Sequence, residues 1–310
     1  MKFLLSLILS LALLSPCAYA DLISLANADL YVDTANTSGT ENGTILYPYN
    51  TIQAAIDAAP EGIITEIAVA AGTYAENIRI DNKSIQLEGG YSPDFENRDP
   101  DANMTAIQGE GTDAVVTIEY TEDCSVDGFH ISGGTGNTYS LPWFYAGGGV
   151  YCEGGSITLS NNVIYSNNIR HPGEDAGLES MGGGIFASDV DISIINNTIR
   201  DNTAGYGAGI YIADGEALIQ GNTILKNTGV NDHGGGLHIG ATTAVITENL
   251  IAENVTGHEV GYGQGGGVIV HGQDNSFTLS CNTVRDNSAP SWGAGVFVDE
   301  GAIALIDHEL

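Results

Sequence analysis

Positive charge is what this chain has least of. Eight Lys and Arg stand against 39 Asp and Glu, a formal net charge of −31. Nucleic-acid binding needs a basic face, so that class is excluded. A polyanionic glycan would be repelled unless cations bridged it, and a lyase acting on uronates needs basic side chains that are scarce here. Cysteine is scarce as well. Cys17 lies in an N-terminal leader, which leaves Cys124, Cys152 and Cys281. An odd count excludes a fully paired framework within one monomer. Cys124 and Cys152 read as core residues, with a Cys124–Cys152 pair as the alternative. There is no HExxH, no CxxC, no phosphate loop and no nucleophile elbow. After the leader no stretch is apolar enough to span a membrane. No segment carries the extended 3.6-residue periodicity of a helical repeat.

The leader is residues 1–20. Lys2 supplies the charge, Phe3 to Leu14 the apolar run, and Ala18-Tyr19-Ala20 a small-residue cleavage site. A secretory signal peptide is therefore expected, followed by a single mature domain over 21–310 in an extracellular or cell-surface location.

What the chain has in abundance is a repeated phrase. Gly-rich anchors end at Gly149, Gly184, Gly209, Gly236 and Gly267, and the matching Asn residues are Asn162, Asn197, Asn222, Asn249 and Asn282. Apolar residues sit three before and two after each Asn, and a second Asn sits five after it: Asn167, Asn202, Asn227, Asn254 and Asn287. A fixed period of this length means coils that rest on their neighbours. Apolar alternation after each anchor, as at Val150 and Cys152 or Ile210 and Ile212, reads as half-buried strand. Short strands between Gly and Asn turns suit an all-β, right-handed, single-stranded parallel β-helix. Its Asn residues would stack as turn ladders. Asp127 looks like the centre of an earlier coil, with Phe129 two after it and Ser132 five after it. From a sixth anchor at Gly295 the 13-residue count lands on His308, flanked by Leu305 and Leu310. The count then stops inside a coil, which implies an incomplete C-terminal end.

Residues 21–62 form an N-terminal cap region. Asn50-Thr51 caps a short helix over Ile52–Ala59 whose apolar stripe covers the open end of the stack. Strands are expected at Ile64–Ala70, Ile78–Ile80, Ser84–Glu88, Ala114–Ile118 and Gly128–Ile131. Turns are expected at Gly72-Thr73-Tyr74 and Gly89-Gly90-Tyr91, and Arg98 is placed to pair with Asp99.

The phrases GGGVY, GGGIF, GAGIY, GGGLH and GGGVI, paired with NNVIYSN, NNTIRDN, GNTILKN, ENLIAEN and CNTVRDN, resemble the pectin-lyase-like right-handed β-helix repeat proteins. They are also similar to the repeats of polymorphic outer-membrane and adhesin-like proteins. The resemblance runs from about Tyr31 onward and implies the fold, while the family hosts lyases, hydrolases and non-enzymatic surface proteins. His271-Gly272 is similar to an HG pair in β-helix polygalacturonases. The paired-Asp segment and the basic RxK stretch that accompany it there are absent, so no role is carried over.

Candidate function lies in the insertions between coils, which solenoids use for recognition. Seventeen residues separate Ser132 from Gly149 and Asn167 from Gly184, so two long loops should project side by side. The first carries Tyr139, Trp143, Phe144 and Tyr145. The second carries His171, Glu174, Asp175 and Glu179. A third holds His258, Glu259 and Tyr262, with Asp232, His233 and Trp292 on shorter equivalents. Rings stack on the C–H faces of a neutral sugar while carboxylates bind hydroxyls or protonate a glycosidic oxygen. The favoured reading is a glycan-binding or adhesin-like surface protein, its partner a neutral or weakly charged polysaccharide or a cell-surface glycan. The alternative is a glycoside hydrolase or other polysaccharide-degrading enzyme. There Glu174 or Asp175 would be the acid, Glu179, Asp232 or Glu259 the base or nucleophile, and Trp143 and Tyr145 the floor. A third reading is a calcium-stabilised spacer, calcium being the one cofactor the acidity points to. The plainer reading of the same residues is a loop lid for Trp143 and Phe144 and surface charge for Glu174 and Asp175.

Overall fold

The computed structural model describes residues 28–138, 144–169, 180–240, 243–257, 263–271, 276–299 and 303–307. One coil shows the plan. From the left-handed Gly207 the chain runs along a first face (Ile210–Ile212), turns onto a second (Glu216–Gln220), passes Asn222 to a third (Thr223–Leu225), and passes Asn227 into a strip (Thr228–His233) that leads to the next anchor. All coil-to-coil strand pairs are parallel and in sequence order. Ile164, Ile199, Ile224 and Ile251 stand opposite one another in turn. This is the parallel β-helix that the periodicity implies.

The first and second faces join into one 15-stranded sheet because three strands, Val116–Asp127, Val150–Ser160 and Ile185–Ile195, run continuously across the corner. At that corner Tyr120, Gly154 and Asp189 all take positive φ. Gly155 follows, also at positive φ, and a Cβ there would collide with the Thr121 carbonyl of the coil beneath. Inward residues of all three faces form one continuous core, with Ile67, Ile118, Leu159, Ile194, Ile224 and Leu279 fully buried. Each such side chain contributes about 1.5–3 kcal/mol by leaving water.

The two Asn ladders hold the turns. Each ladder Asn donates Nδ2–H to the Oδ1 of the next coil's Asn, as in Asn162 to Asn197 (3.1 Å), Asn197 to Asn222 (3.1 Å) and Asn222 to Asn249 (3.0 Å). The second ladder repeats this from Asn167 through Asn202, Asn227 and Asn254 to Asn287. The same Oδ1 also accepts a backbone N–H, so groups that would otherwise be orphaned in a buried turn are satisfied. The residue before each ladder Asn takes positive φ, including Asn196, Asp201, Lys226 and Cys281.

Helix α1 spans Ile52–Ala58. Thr51 caps it by accepting from the Ala54 N–H at 3.3 Å, and Ile52, Ala55 and Ile56 are buried against the first coil. Glu76 accepts from the free N–H groups of Ile52 and Gln53, and burial raises its pKa above the usual carboxylate value. Among the described residues no helix is long and apolar enough to cross a membrane.

Several expectations are corrected. Gly72–Ala75 and Ile85–Tyr91 are strands, so the turns expected there are paired extended chain. Asp127 is not a ladder position. It stands opposite Ser160, while Phe129 takes the Asn place and donates its N–H to Asn162 Oδ1. A buried Phe side chain fills that layer, so the polar ladder stops there. Cys124 lies opposite Ile157. Cys124 and Cys152 are free and buried in the core, and Cys281 is free and exposed. Arg98 pairs with Asp127 and donates to the Gly89 carbonyl, while Asp99 accepts from the N–H groups of Asp101 and Ala102. In the last coil Ile306, not Leu305, stands opposite Leu279, one residue later than the count predicts.

Candidate functional site

The anchors do more than turn the chain. Gly147, Gly182, Gly207, Gly234, Gly265 and Gly293 all have φ between +53° and +69°. This U-turn sets the residue before each glycine beside the residue four after it. Two ladders therefore face each other outside the main core. One is Ala146, Met181, Tyr206, His233, Gln264 and Trp292, and the other is Tyr151, Phe186, Tyr211, His238, Ile269 and Phe297. Although they point away from the core, Tyr151, Phe186, His238 and Ile269 are buried. Tyr151 stacks on Phe186 at 5.3 Å, Phe186 on Tyr211 at 5.7 Å, and Tyr211 lies 4.5 Å from His238.

At one end the ladder opens into a cleft of about 330 Å³ lined by Asn77, Arg79, Asp113, Thr117, Glu119, Asn137, Thr138 and Tyr151, among others. Arg79, Thr117 and Tyr151 are outward residues in one register row. Asp81, Glu119 and Glu153 form the next row. Arg79 ion-pairs with Glu119, and its distance to Asp81 is 3.9 Å. Burial raises the Glu119 pKa, Arg79 opposes that, and the nearby Asp81 and Glu153 add to it. Glu153 accepts from the Tyr151 hydroxyl at 2.5 Å and from Tyr120 at 3.5 Å. Asn137 fixes the wall, donating to Thr117 Oγ1 at 2.9 Å and accepting from the Ala114 N–H at 2.9 Å. The cleft thus combines a carboxyl whose pKa burial raises, the guanidinium paired with it and amide groups, with Glu153 beside Glu119 on the neighbouring strand. That set suits hydroxyl-rich ligands.

Further along, the aromatic ladder is interrupted by imidazoles before it resumes at Trp292 and Phe297. His233, His238 and His271 stand with ring centroids 6.3, 6.2 and 6.2 Å apart, taken pairwise. Burial, reinforced by His233 and His271, pushes the His238 pKa down to about 3. Among the described residues no group of three or more His, Cys, Asp or Glu could hold a metal ion.

Of the residues expected to form the site, Tyr139 and Trp143, then His171, Glu174, Asp175 and Glu179, then His258, Glu259 and Tyr262, lie outside the described residues. The roots of their three loops do lie on one six-stranded sheet. Thr138 pairs with Tyr145, Tyr145 with Ser180, and His233 bridges to Gln264. Thr138, at the root of the first loop, also lines the cleft. Asp232 belongs to the strand Thr228–His233 of that sheet, and His233 lies in the facing ladder. Tyr145 packs against Ile169, Ala204 and Ala208, whereas its neighbour Phe144 packs on the aromatic ladder. Sequence reasoning missed Arg79, Glu119, Glu153 and His238. The signal for His238 was present: Tyr151, Phe186, Tyr211 and His238 each follow an anchor's last glycine by two residues.

The stacked coils and the outward groove along their first face define a parallel β-helix protein with a surface cleft. The chain belongs to the right-handed β-helix family, whose model, described as a right handed beta helix region, matches residues 114–309. Among curated proteins none shows significant sequence similarity. Among solved structures it is similar in fold to the pectin methylesterase of carrot, at a TM-score of 0.52 and 14% identity over 92% of this chain and 83% of that one. It is similar also to the pectin methylesterase of Aspergillus niger, at a TM-score of 0.51 and 14% identity over 92% and 85%. At that identity the likeness is one of fold.

Proposed function

We propose that this is an exported, polysaccharide-acting β-helix protein that takes a neutral or weakly charged glycan in the cleft of Arg79, Glu119 and Tyr151 and hydrolyses a glycosidic bond there. The observation that carries the reading is Glu119, a cleft-lining carboxyl whose burial favours the protonated form, with Glu153 opposite it in register on the adjacent strand. Neighbouring strands are about 4.8 Å apart, close to the roughly 5–5.5 Å carboxyl separation of a retaining mechanism. Glu119 then protonates the glycosidic oxygen, Glu153 attacks the anomeric carbon, and water later releases the glycosyl ester. The loop that carries Tyr139 and Trp143 is rooted at Thr138, which lines the cleft, and this is what supports a sugar-stacking role for those rings. The fold relatives are pectin methylesterases, which by name act on a polysaccharide. That supports the substrate class, while the net charge of −31 argues for a less acidic glycan.

A second reading, glycan binding without cleavage as in an adhesin-like surface protein, is favoured by one observation. Arg79 already engages Glu119 and Tyr151 already engages Glu153. A panel of neutral polysaccharides, assayed for both binding and reducing-end release, separates the two. Hydrolysis predicts release that Glu119→Gln abolishes while binding persists. Binding with no release by the wild type favours the second reading. A panel neither bound nor cut, with or without calcium, overturns both.

A further inference from the structure

The corner beside the carboxyl pair carries a residue that the turn does not ask for. Tyr120 directly follows Glu119 and takes φ +50°. Left-handed backbone suits glycine or a short polar residue and is disfavoured for a bulky side chain. The neighbouring coils comply at the same place, with Asn82 at φ +53°, Gly154 at +70° and Asp189 at +51°. Tyr120 alone departs. Its side chain is 57% exposed, so core burial does not offset the strain. Strain held at an exposed residue beside candidate catalytic groups points to function.

The ring is nevertheless held. A Cβ on Gly154 would stand 3.0 Å from Tyr120 Cδ1 and 3.5 Å from Cε1, so the ring lies on the bare backbone of the next coil. Asp189 shows that this turn accepts a side chain, so it is the ring that needs a glycine at 154. The Tyr120 hydroxyl donates to Glu153 Oε1 at 3.5 Å, while Tyr151 donates to Oε2 at 2.5 Å. The cleft runs from Asn137 and Thr138 past Thr117 and Tyr151 to Glu119. Tyr120 stands beyond Glu119, where the strand Val116–Asp127 turns toward the second face. The two carboxyl groups therefore stand between the cleft and an open aromatic ring.

We propose that Tyr120 is the stacking platform for the sugar on the corner side of the cleaved bond, and that the protein cuts internal bonds of a neutral polymer. This rests on the reading of Glu119 and Glu153 as the hydrolytic pair. One sugar in the cleft and one on Tyr120 span the bond, and the C–H face of a neutral sugar suits the ring. Because Tyr120 is open to solvent, the polymer can continue past it in that direction.

The test gives the mature protein a soluble β-glucan, a xylan and a galactomannan, together with end-labelled oligosaccharides of each. Wild-type protein should lower viscosity well ahead of reducing-end release and should cut the oligosaccharides internally. Tyr120→Gly removes the backbone strain, so it should melt no lower than wild type. It should still raise KM about 10-fold with kcat less affected. Tyr120→Phe keeps the ring and should stay near the wild-type KM. Tyr47→Ala, a 41% exposed tyrosine in the N-terminal cap region, should change neither constant. A wild-type KM in Tyr120→Gly overturns the proposal while leaving the hydrolytic pair standing. So does a Tyr120→Phe as impaired as Tyr120→Gly, because the hydroxyl on Glu153 would then be what matters. Cleavage confined to chain ends overturns it as well. No release from any of the three polymers by the wild type removes the hydrolytic reading itself, and the platform with it.

Discussion

Removing one rung of the Asn ladder should cost far more than an average surface change. Asn222 Nδ2 donates to the Ile194 carbonyl at 2.7 Å and to Asn249 Oδ1 at 3.0 Å, and its Oδ1 accepts from Asn197 N–H at 2.8 Å and Asn197 Nδ2 at 3.1 Å. In Asn222→Ala the Asn197 N–H, buried beneath it, loses its partner outright. The Ile194 carbonyl and the two flanking amides each lose one. A buried group left unsatisfied costs about 1–3 kcal/mol. With some relaxation the sum is about 3–5 kcal/mol, a large share of a native margin of about 5–15 kcal/mol. Urea denaturation followed by far-UV circular dichroism measures it. Asn222→Asp separates hydrogen bonding from volume. It fills the same space but cannot donate to Ile194 or Asn249 and adds a buried charge, so its loss should equal or exceed that of Ala. A cost below about 1 kcal/mol for Ala, or a wild-type midpoint for Asp, would refute the reasoning.

Two other perturbations test other parts of the account. Glu119 has its pKa raised by burial, so the native state holds that proton more tightly than the unfolded chain does. The stability that this proton confers is fully present below the ordinary value of 4.5 and is lost as pH rises through the raised value. Melting temperature measured from acid to neutral pH should show that fall, and Glu119→Gln should flatten it. Cys281 holds φ +58° at the place where the earlier coil has Gly221 at +68°. Cys281→Gly should raise stability by up to about 1 kcal/mol, read from the same urea curves.

The fold was legible because its demands are local and repeated. An inward Ile such as Ile199, a ladder Asn such as Asn202 and an anchor such as Gly207 each answer the same requirement in every coil. The reading slipped where a requirement was met differently. At Asp127 the sequence imitates the phrase, yet the layer belongs to Phe129, which has no side chain to extend the ladder and so leaves no phrase to count. The site was less legible. Arg79 and Glu119 come from coils that precede the recognisable repeat, and only parallel register brings them beside Tyr151 and Glu153. The loops at 139–143, 170–179 and 258–262 were found by their length, but insertion length carries no geometry. The histidine layer escaped notice because His233 and His238 straddle an anchor, and their nearness depends on the left-handed glycine between them.

The most direct test of the claim that register joins distant segments into one glycan site pairs Arg79→Ala with Trp143→Ala. The dissociation constant of each is measured for whichever neutral oligosaccharide the wild-type protein binds, with Trp292→Ala as the control. The account predicts that both weaken binding at least 10-fold while the control does not, although the two positions are far apart in the chain. Full affinity in Arg79→Ala alongside loss in Trp143→Ala would contradict it.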